Sequence, residues 1–334
     1  MALHPGRPLF FVLLAACVST DDHESSDNDA NTCVLDCEGD ADTDADSDTD
    51  ADADSDSDSD ADADQGRRFD HFVDTTDAYI GDTTCLGDDP PQPDEACHEV
   101  MTVSGSVRDF QDNDVVADAD VAWWTDDDPS GAADAQSTTN SSGQFSLSAW
   151  ACQPMAVRTS TPPEWEQTVD TLRQHTVYGW ESDGKISVVA ASFGESTARL
   201  IPALVGDAWD RASGLISGIV VDCAGDAVEN AQIFVHDAGG DGASDMEVYY
   251  FDDDTLPAAH DDQPDSSDNG LWVAINVPPG EWTADAWGWD GGEYVLLGST
   301  PLLATAGAAT ILEIVAGQDD GIDWPASCTD ACGE

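Results

Sequence analysis

Three stretches of this chain carry residue types that could do chemistry. His98-Glu99 begins like the His-Glu-x-x-His helix that sets two imidazoles on one face around zinc, but Thr102 stands where the second ligand belongs. Gly194-Glu195-Ser196-Thr197-Ala198 approaches the Gly-x-Ser-x-Gly turn of an acyl-transfer nucleophile, yet it ends in Ala and reads as strand rather than as a strand-to-helix elbow. From Asp237 onward, Asp237, Asp241 and Asp245 fall at positions one, five and nine of a calcium-loop spacing, with Gly242 at six. Gly239 replaces the third ligand there and Val248 the bidentate Glu, so an acidic hairpin loop kept soluble by Asp is the competing reading. Carboxylate pairs carry no weight as a signal, because the chain holds 70 Asp and Glu.

Tryptophan is the other candidate, with eleven in the chain. Strand alternation puts Trp287 and Trp289 on the side of Thr283 and Asp285, and puts Trp124 and Trp150 on the polar faces of their strands. Exposed indoles beside polar groups form a platform on which sugar rings stack. Packing at a domain junction or beneath long loops is the alternative.

The elements that must position these residues are strands. Val103 to Asp109 matches Ile216 to Asp222, Val115 to Val121 matches Ala227 to Ile233, and Ser142-Gly143-Gln144-Phe145 matches Asn269-Gly270-Leu271-Trp272, an internal repeat of about 113 residues. Val115, Ala117, Ala119, Val121 and Trp123 point one way along one strand, and Phe145, Leu147 and Ala149 along another. Helical periodicity is confined to Glu164 to Gln174. Short strands punctuated by Gly, Asn, Asp and Pro turns predict an all-β fold. The expectation is two tandem Ig-like or transthyretin-like antiparallel β-sandwiches after a disordered acidic stalk.

The pattern Gly-x-Val-x-Asp, a turn, Val-x-x-Ala-x-Val, a loop and then Gly-x-Phe resembles the carboxypeptidase regulatory-like domain. Gly105, Ala119 and Gly143 hold its signature positions in the first copy; Gly218, Ala231 and Gly270 hold them in the second. Pro278-Pro279-Gly280-Glu281-Trp282 matches the family's later turn, where the first copy departs with Cys152-Gln153-Pro154-Met155. The resemblance implies a transthyretin-like sandwich and an accessory module, since the zinc site of metallocarboxypeptidases lies on a separate domain.

A formal net charge of -61 repels phosphate backbones and excludes nucleic acid as a partner. From Asp40 to Asp64 every even-numbered residue is Asp, alternating with Ala, Ser or Thr. Such a ladder has nothing to bury and predicts an extended tether of roughly 80 to 90 Å, which attracts cations only diffusely.

At the N-terminus, the apolar run Leu9 to Leu13 followed by Leu14-Ala15-Ala16-Cys17 resembles a bacterial lipoprotein signal with its lipobox. The resemblance implies a lipid on Cys17, attachment to a membrane through that anchor and, with Val18 after it, sorting to the outer membrane; exposure at the cell surface is expected, with the periplasmic face as the alternative. Setting Cys17 aside from nine cysteines leaves an even set, expected as disulfides in an oxidising compartment. Spacing suggests Cys33 with Cys37, Cys85 with Cys97 and Cys328 with Cys332, leaving Cys152 for Cys223. The organisation expected is a signal peptide (1–16), an acidic stalk (17–66), a small disulfide segment (67–98), sandwiches over 99–205 and 213–316, and a C-terminal disulfide tail (317–334). No enzymatic activity is expected. The function expected is binding or adhesion at the envelope, to polysaccharide or an envelope protein, with a purely structural spacer as the alternative and calcium as the only candidate cofactor.

Overall fold

The computed structural model describes residues 77–87, 97–110, 113–125, 127–160, 168–179, 185–243, 246–253, 255–259, 262–318, 322 and 325–329. Cys17, the Asp ladder, Cys33, Cys37, Cys332 and Asp245 lie outside them.

Seven strands come first: β1 (Val100–Asp109), β2 (Asp120–Trp124), β3 (Ala135–Thr138), β4 (Gln144–Trp150), β5 (Met155–Ser160), β6 (Thr168–Thr176) and β7 (Lys185–Gly194). Helix α1 (Glu195–Leu204) follows. Eight more strands are β8 (Gly214–Val221), β9 (Ala231–His236), β10 (Glu247–Phe251), β11 (Pro257–Ala258), β12 (Leu271–Val277), β13 (Gly280–Trp289), β14 (Tyr294–Ala304) and β15 (Ala308–Val315), before a short α2 (Ala326–Thr329).

The pairing repeats. In the first sandwich β1 lies antiparallel to β4 and parallel to β7, while β5 lies between β2 and β6, antiparallel to both. In the second, β8 is antiparallel to β12 and parallel to β15, while β13 lies between β9 and β14. The all-β sandwich expectation holds. Alternation is cleanest in β4, where Phe145, Leu147 and Ala149 are buried and Gln144, Ser146, Ser148 and Trp150 are exposed.

The signature residues hold each copy together for the same physical reasons. A Cβ on Gly105 would fall inside the Phe145 ring and 2.7 Å from the Val188 carbonyl; one on Gly218 would fall 2.7 Å from the Trp272 ring. Gly143 and Gly270 adopt φ of 69° and 65°, where a side chain is strained. The Thr139 hydroxyl accepts from the Ala119 N–H and donates to the Val116 carbonyl, both at 2.8 Å. Ser266 does the same for Ala231 and Val228, at 2.9 and 2.8 Å.

The two sandwiches share a sheet. β15 pairs in parallel with β6 through Ala308 to Ile311 against Asp170 to Arg173, so the path β11-β10-β12-β8-β15-β6-β5-β2-β3 crosses from one sandwich to the other. An apolar cluster seals this seam: Val169 of β6, Phe193 of β7, Ala198 and Ile201 of α1, and Leu215, Val273 and Ile311 of the second sandwich. Beside it Phe110 stacks on Phe193, centroids 4.1 Å apart.

The terminal segments cross over. Residues 77–87 precede the first sandwich yet dock on the second: Ile80 and Glu229 exchange backbone hydrogen bonds of 3.0 and 3.1 Å, and the Tyr79 N–H donates to Trp289. Tyr79 packs against Gly288, where no Cβ could fit. Cys85 is bonded to Cys223 and Cys152 to Cys328, so the tail beyond the second sandwich returns to the first. Cys97 is disulfide-bonded as well.

These bonds correct three of the pairings expected from spacing, Cys85 with Cys97, Cys328 with Cys332 and Cys152 with Cys223; Cys33 and Cys37 lie outside the described residues. Short spacing favours a local loop only when nothing brings a distant thiol closer, and here the crossed segments do. Two further expectations are corrected. Residues 168–174, expected as part of a helical stretch over Glu164 to Gln174, belong to β6, because their alternate residues are needed on both sides of a shared sheet. The helix lies instead at Glu195–Leu204, with Thr197, Ala198, Ile201 and Pro202 buried on one side. Val115 is 46% exposed rather than in line with Val121, because Asp118 takes φ of 56° and resets the alternation before β2.

Candidate functional site

A buried polar cluster joins three strands of the second sandwich. Asp285 on β13 is buried, and its Oδ1 accepts a 2.6 Å hydrogen bond from the Ser299 hydroxyl on β14. Its Oδ2 lies 3.1 Å from His236 Nε2 on β9, and His236 Nδ1 lies 2.8 Å from the Asp237 carbonyl. A ring protonated at both nitrogens satisfies both acceptors. β9, β13 and β14 bring these residues together in antiparallel register, with Asp285 opposite both Ser299 and Phe234. The order serine, aspartate, histidine differs from a nucleophile relay, which needs the base against the serine. Here the serine proton is directed at the carboxylate, and the arrangement clamps three strands. This cluster is not legible in the sequence, since its members lie far apart in the chain and no local spacing links them.

A second contact, between the half-buried Asp127 and His175, lies at the end of β6. His175 Nδ1 lies against the Asp127 carboxylate, whose Oδ1 also accepts from the His175 N–H at 3.0 Å. Both residues have positive φ, 58° and 54°, so this contact holds a loop residue and a residue near the end of β6 in left-handed conformations.

The sequence candidates fare differently. His98 Nδ1 accepts from Gln153 Nε2 at 3.0 Å in a half-buried site, which is a structural contact. Ser196 does stand just after a strand-to-helix junction, at the exposed start of α1, which corrects the strand expected there. Its neighbour Glu195 is held by Arg199 and Arg211, whose guanidinium contacts, Arg211 first, lower its pKa. Among the described residues no histidine bonds to Ser196.

In the loop after β9, Asp237 Oδ1 accepts from the N–H groups of Gly239 and Asp241 at 2.7 and 3.1 Å. That carboxylate shapes its own turn. Among the described residues no three His, Cys, Asp or Glu side chains gather as a metal site.

Of the four tryptophans, Trp150 is exposed at 41%. Trp124 is 2% exposed, which corrects the expected exposed indole: Arg158 lies over its ring at 5.0 Å, and Ala122, Ala156 and Leu172 pack with it. The outward face of β2 is therefore a second small core. Trp287 and Trp289 are half-buried, and Trp289 meets Tyr294 edge-on at 5.2 Å.

Among the described residues no helix is long and apolar enough to cross a membrane. No protein-family model and no curated protein matches the chain. Solved structures similar to parts of it include the shaft pilin SpaA from Lactobacillus rhamnosus GG, at 13% identity and a TM-score of 0.22 over 67% of this chain and 100% of that one. A streptococcal ancillary pilin matches at 11% identity and a TM-score of 0.21, over 65% of this chain and 62% of that one. Chlorocatechol 1,2-dioxygenase from Pseudomonas putida matches at 13% and 0.22, over 39% and 80%. At these scores, function has to be argued from this chain's own strands.

Proposed function

We propose that this chain is a non-enzymatic surface protein whose two sandwiches are displayed as one rigid body for binding at the bacterial envelope. The observation that carries this reading is the strand pair β6 and β15, which continues one sheet through both sandwiches. Tandem domains reorient about their linkers unless the interface between them is large and apolar; a shared sheet sealed by an apolar cluster fixes their relative orientation. The carboxypeptidase regulatory-like signature supports the reading through Gly105, Gly143, Gly218 and Gly270, whose packing gives two accessory-type sandwiches. In this reading a lipid on Cys17 anchors the body to the outer membrane, with the Asp ladder as a standoff and the cell surface, rather than the periplasmic face, as its side.

Labelled palmitate should enter the full-length protein but not the Cys17→Ser variant, and a membrane-impermeant reagent should label the sandwiches on intact cells. Unlabelled protein in the soluble fraction, or labelling only after lysis, would contradict the proposal.

A further inference from the structure

The two sandwiches repeat the same central strands but differ at one edge. In the second, β12 lies between β8 and β10, and β10 runs along its outer edge with Tyr249 opposite Val273 and Glu247 opposite Ile275. The repeat sets Gln144 where Leu271 stands, so Ser146 and Ser148 of β4 are the counterparts of Val273 and Ile275. Among the described residues β4 pairs with β1 alone, and no strand takes the place of β10 beside it.

Hydrogen bonding fixes which groups that edge presents. The Ala151 N–H donates to the Glu99 carbonyl at 2.8 Å and the Val107 N–H to the Gly143 carbonyl at 2.9 Å, so the odd-numbered residues of β4 bond toward β1. The backbone groups of the even-numbered residues point the other way. Those of Gln144 are taken by Asn140, whose N–H donates to the Gln144 carbonyl at 2.9 Å and whose Oδ1 accepts from the Gln144 N–H at 3.1 Å. Ser146, Ser148 and Trp150 are exposed, and their outward N–H and C=O groups have no partner among the described residues. Nothing on the strand guards this edge: Gln144–Trp150 holds no charge and no proline, and its register with β1 is unbroken by a bulge.

These three residues complement themselves. With a second β4 laid antiparallel about a two-fold axis at Ser148, Ser148 meets Ser148 and Ser146 meets Trp150 on either side. Each such pair exchanges two hydrogen bonds, so every outward N–H and C=O of the three is satisfied in both copies. On the buried side Leu147 comes beside Ala149 of the other copy, and no like charges face each other within the pair. A strand of another protein would have to bring this spacing, whereas a second copy brings it by symmetry.

We propose that two copies of this chain join antiparallel through β4, making one sheet that runs through both first sandwiches. The inference goes beyond the display reading and stands without it. The net charge of -61 opposes the pairing, so salt that screens this charge tightens the dimer.

The test is sedimentation and oxidative cross-linking of the full chain. Wild type should sediment at twice the chain mass, with the dimer tighter at about 1 M than at about 0.01 M salt. Ser148→Cys sets a thiol opposite its own copy at a Cα separation of about 5.5 Å, so mild oxidation should link two chains there. Ser142→Cys, exposed but ahead of the strand, should not cross-link. Ser148→Asp, which sets like charges opposite each other, should weaken the dimer by about tenfold with the unfolding midpoint in place. Ser148→Pro, which removes an outward N–H and none of the bonds to β1, should weaken it as well. A monomer at every salt concentration, a dimer that loosens as salt rises, or a dimer untouched by both substitutions would overturn the proposal. Cross-linking of Ser148→Cys on intact cells to a chain of another mass would overturn it too, by making a strand of a different protein the occupant.

Discussion

Gln174, buried on β6 of the first sandwich, accepts a 2.8 Å hydrogen bond at Oε1 from the backbone N–H of Leu303 on β14 of the second. It therefore satisfies a backbone donor across the seam just beyond the β6 and β15 pairing. Gln174→Ala leaves that donor without its partner and should cost about 1 to 3 kcal/mol. Denaturant unfolding of the wild type should be a single transition, and the variant's midpoint should fall. An unchanged midpoint would show that the seam does not depend on this contact.

The repeated glycines make a sharper prediction about packing. Gly105→Ala forces a methyl into the Phe145 ring and the Val188 carbonyl, and Gly218→Ala does the same against Trp272. Each should destabilise by about 1 to 3 kcal/mol, the usual penalty of overpacking. Gly131→Ala, which meets nothing within 4 Å, is the control and should leave the denaturation midpoint where it was.

Much of the fold was legible because such signals are local. The alternation in β4, the turn glycines and the offset between copies are all read within a few residues, and they located both sandwiches. The rest depended on contacts distant in sequence. Trp124 looks exposed by alternation until Arg158 and Leu172 cover it; α1 is short, and its buried side exists only because the second sandwich lies against it. Of the candidate site, Trp150 was legible from strand parity. The cluster of Asp285, Ser299 and His236 was not, since it forms only when β9, β13 and β14 are placed side by side.

Crossed disulfides follow from the crossed termini. Peptide mapping without reductant should recover Cys85 joined to Cys223 and Cys152 joined to Cys328, spanning 138 and 176 residues. Loops of that length restrict the unfolded chain strongly, so Cys85→Ser with Cys223→Ser should lower stability by about 4 kcal/mol. Recovery of Cys85 with Cys97 would contradict the docking of residues 77–87 on the second sandwich.

Asp170 makes stability depend on pH. It lies opposite Ala308 at the seam, where desolvation raises its pKa and Arg158 only partly opposes that shift. With a folded pKa above the unfolded one, its contribution is fully present below the unfolded value of about 3.9 and is lost as pH rises through the raised folded value. Asp170→Asn should therefore raise the melting temperature slightly at neutral pH, the effect being small because the side chain keeps contact with water. The difference should shrink as pH falls to about 3. A variant less stable than wild type at pH 7 would contradict this.

The central claim is that the two sandwiches move as one body. Residual dipolar couplings from amides of residues 100–194 and 214–315, measured on the weakly aligned full-length protein, test it most directly. The shared sheet predicts that both sets fit one alignment tensor in magnitude and orientation. Two tensors of different magnitude would mean that the sandwiches reorient independently, and would contradict the rigid display body.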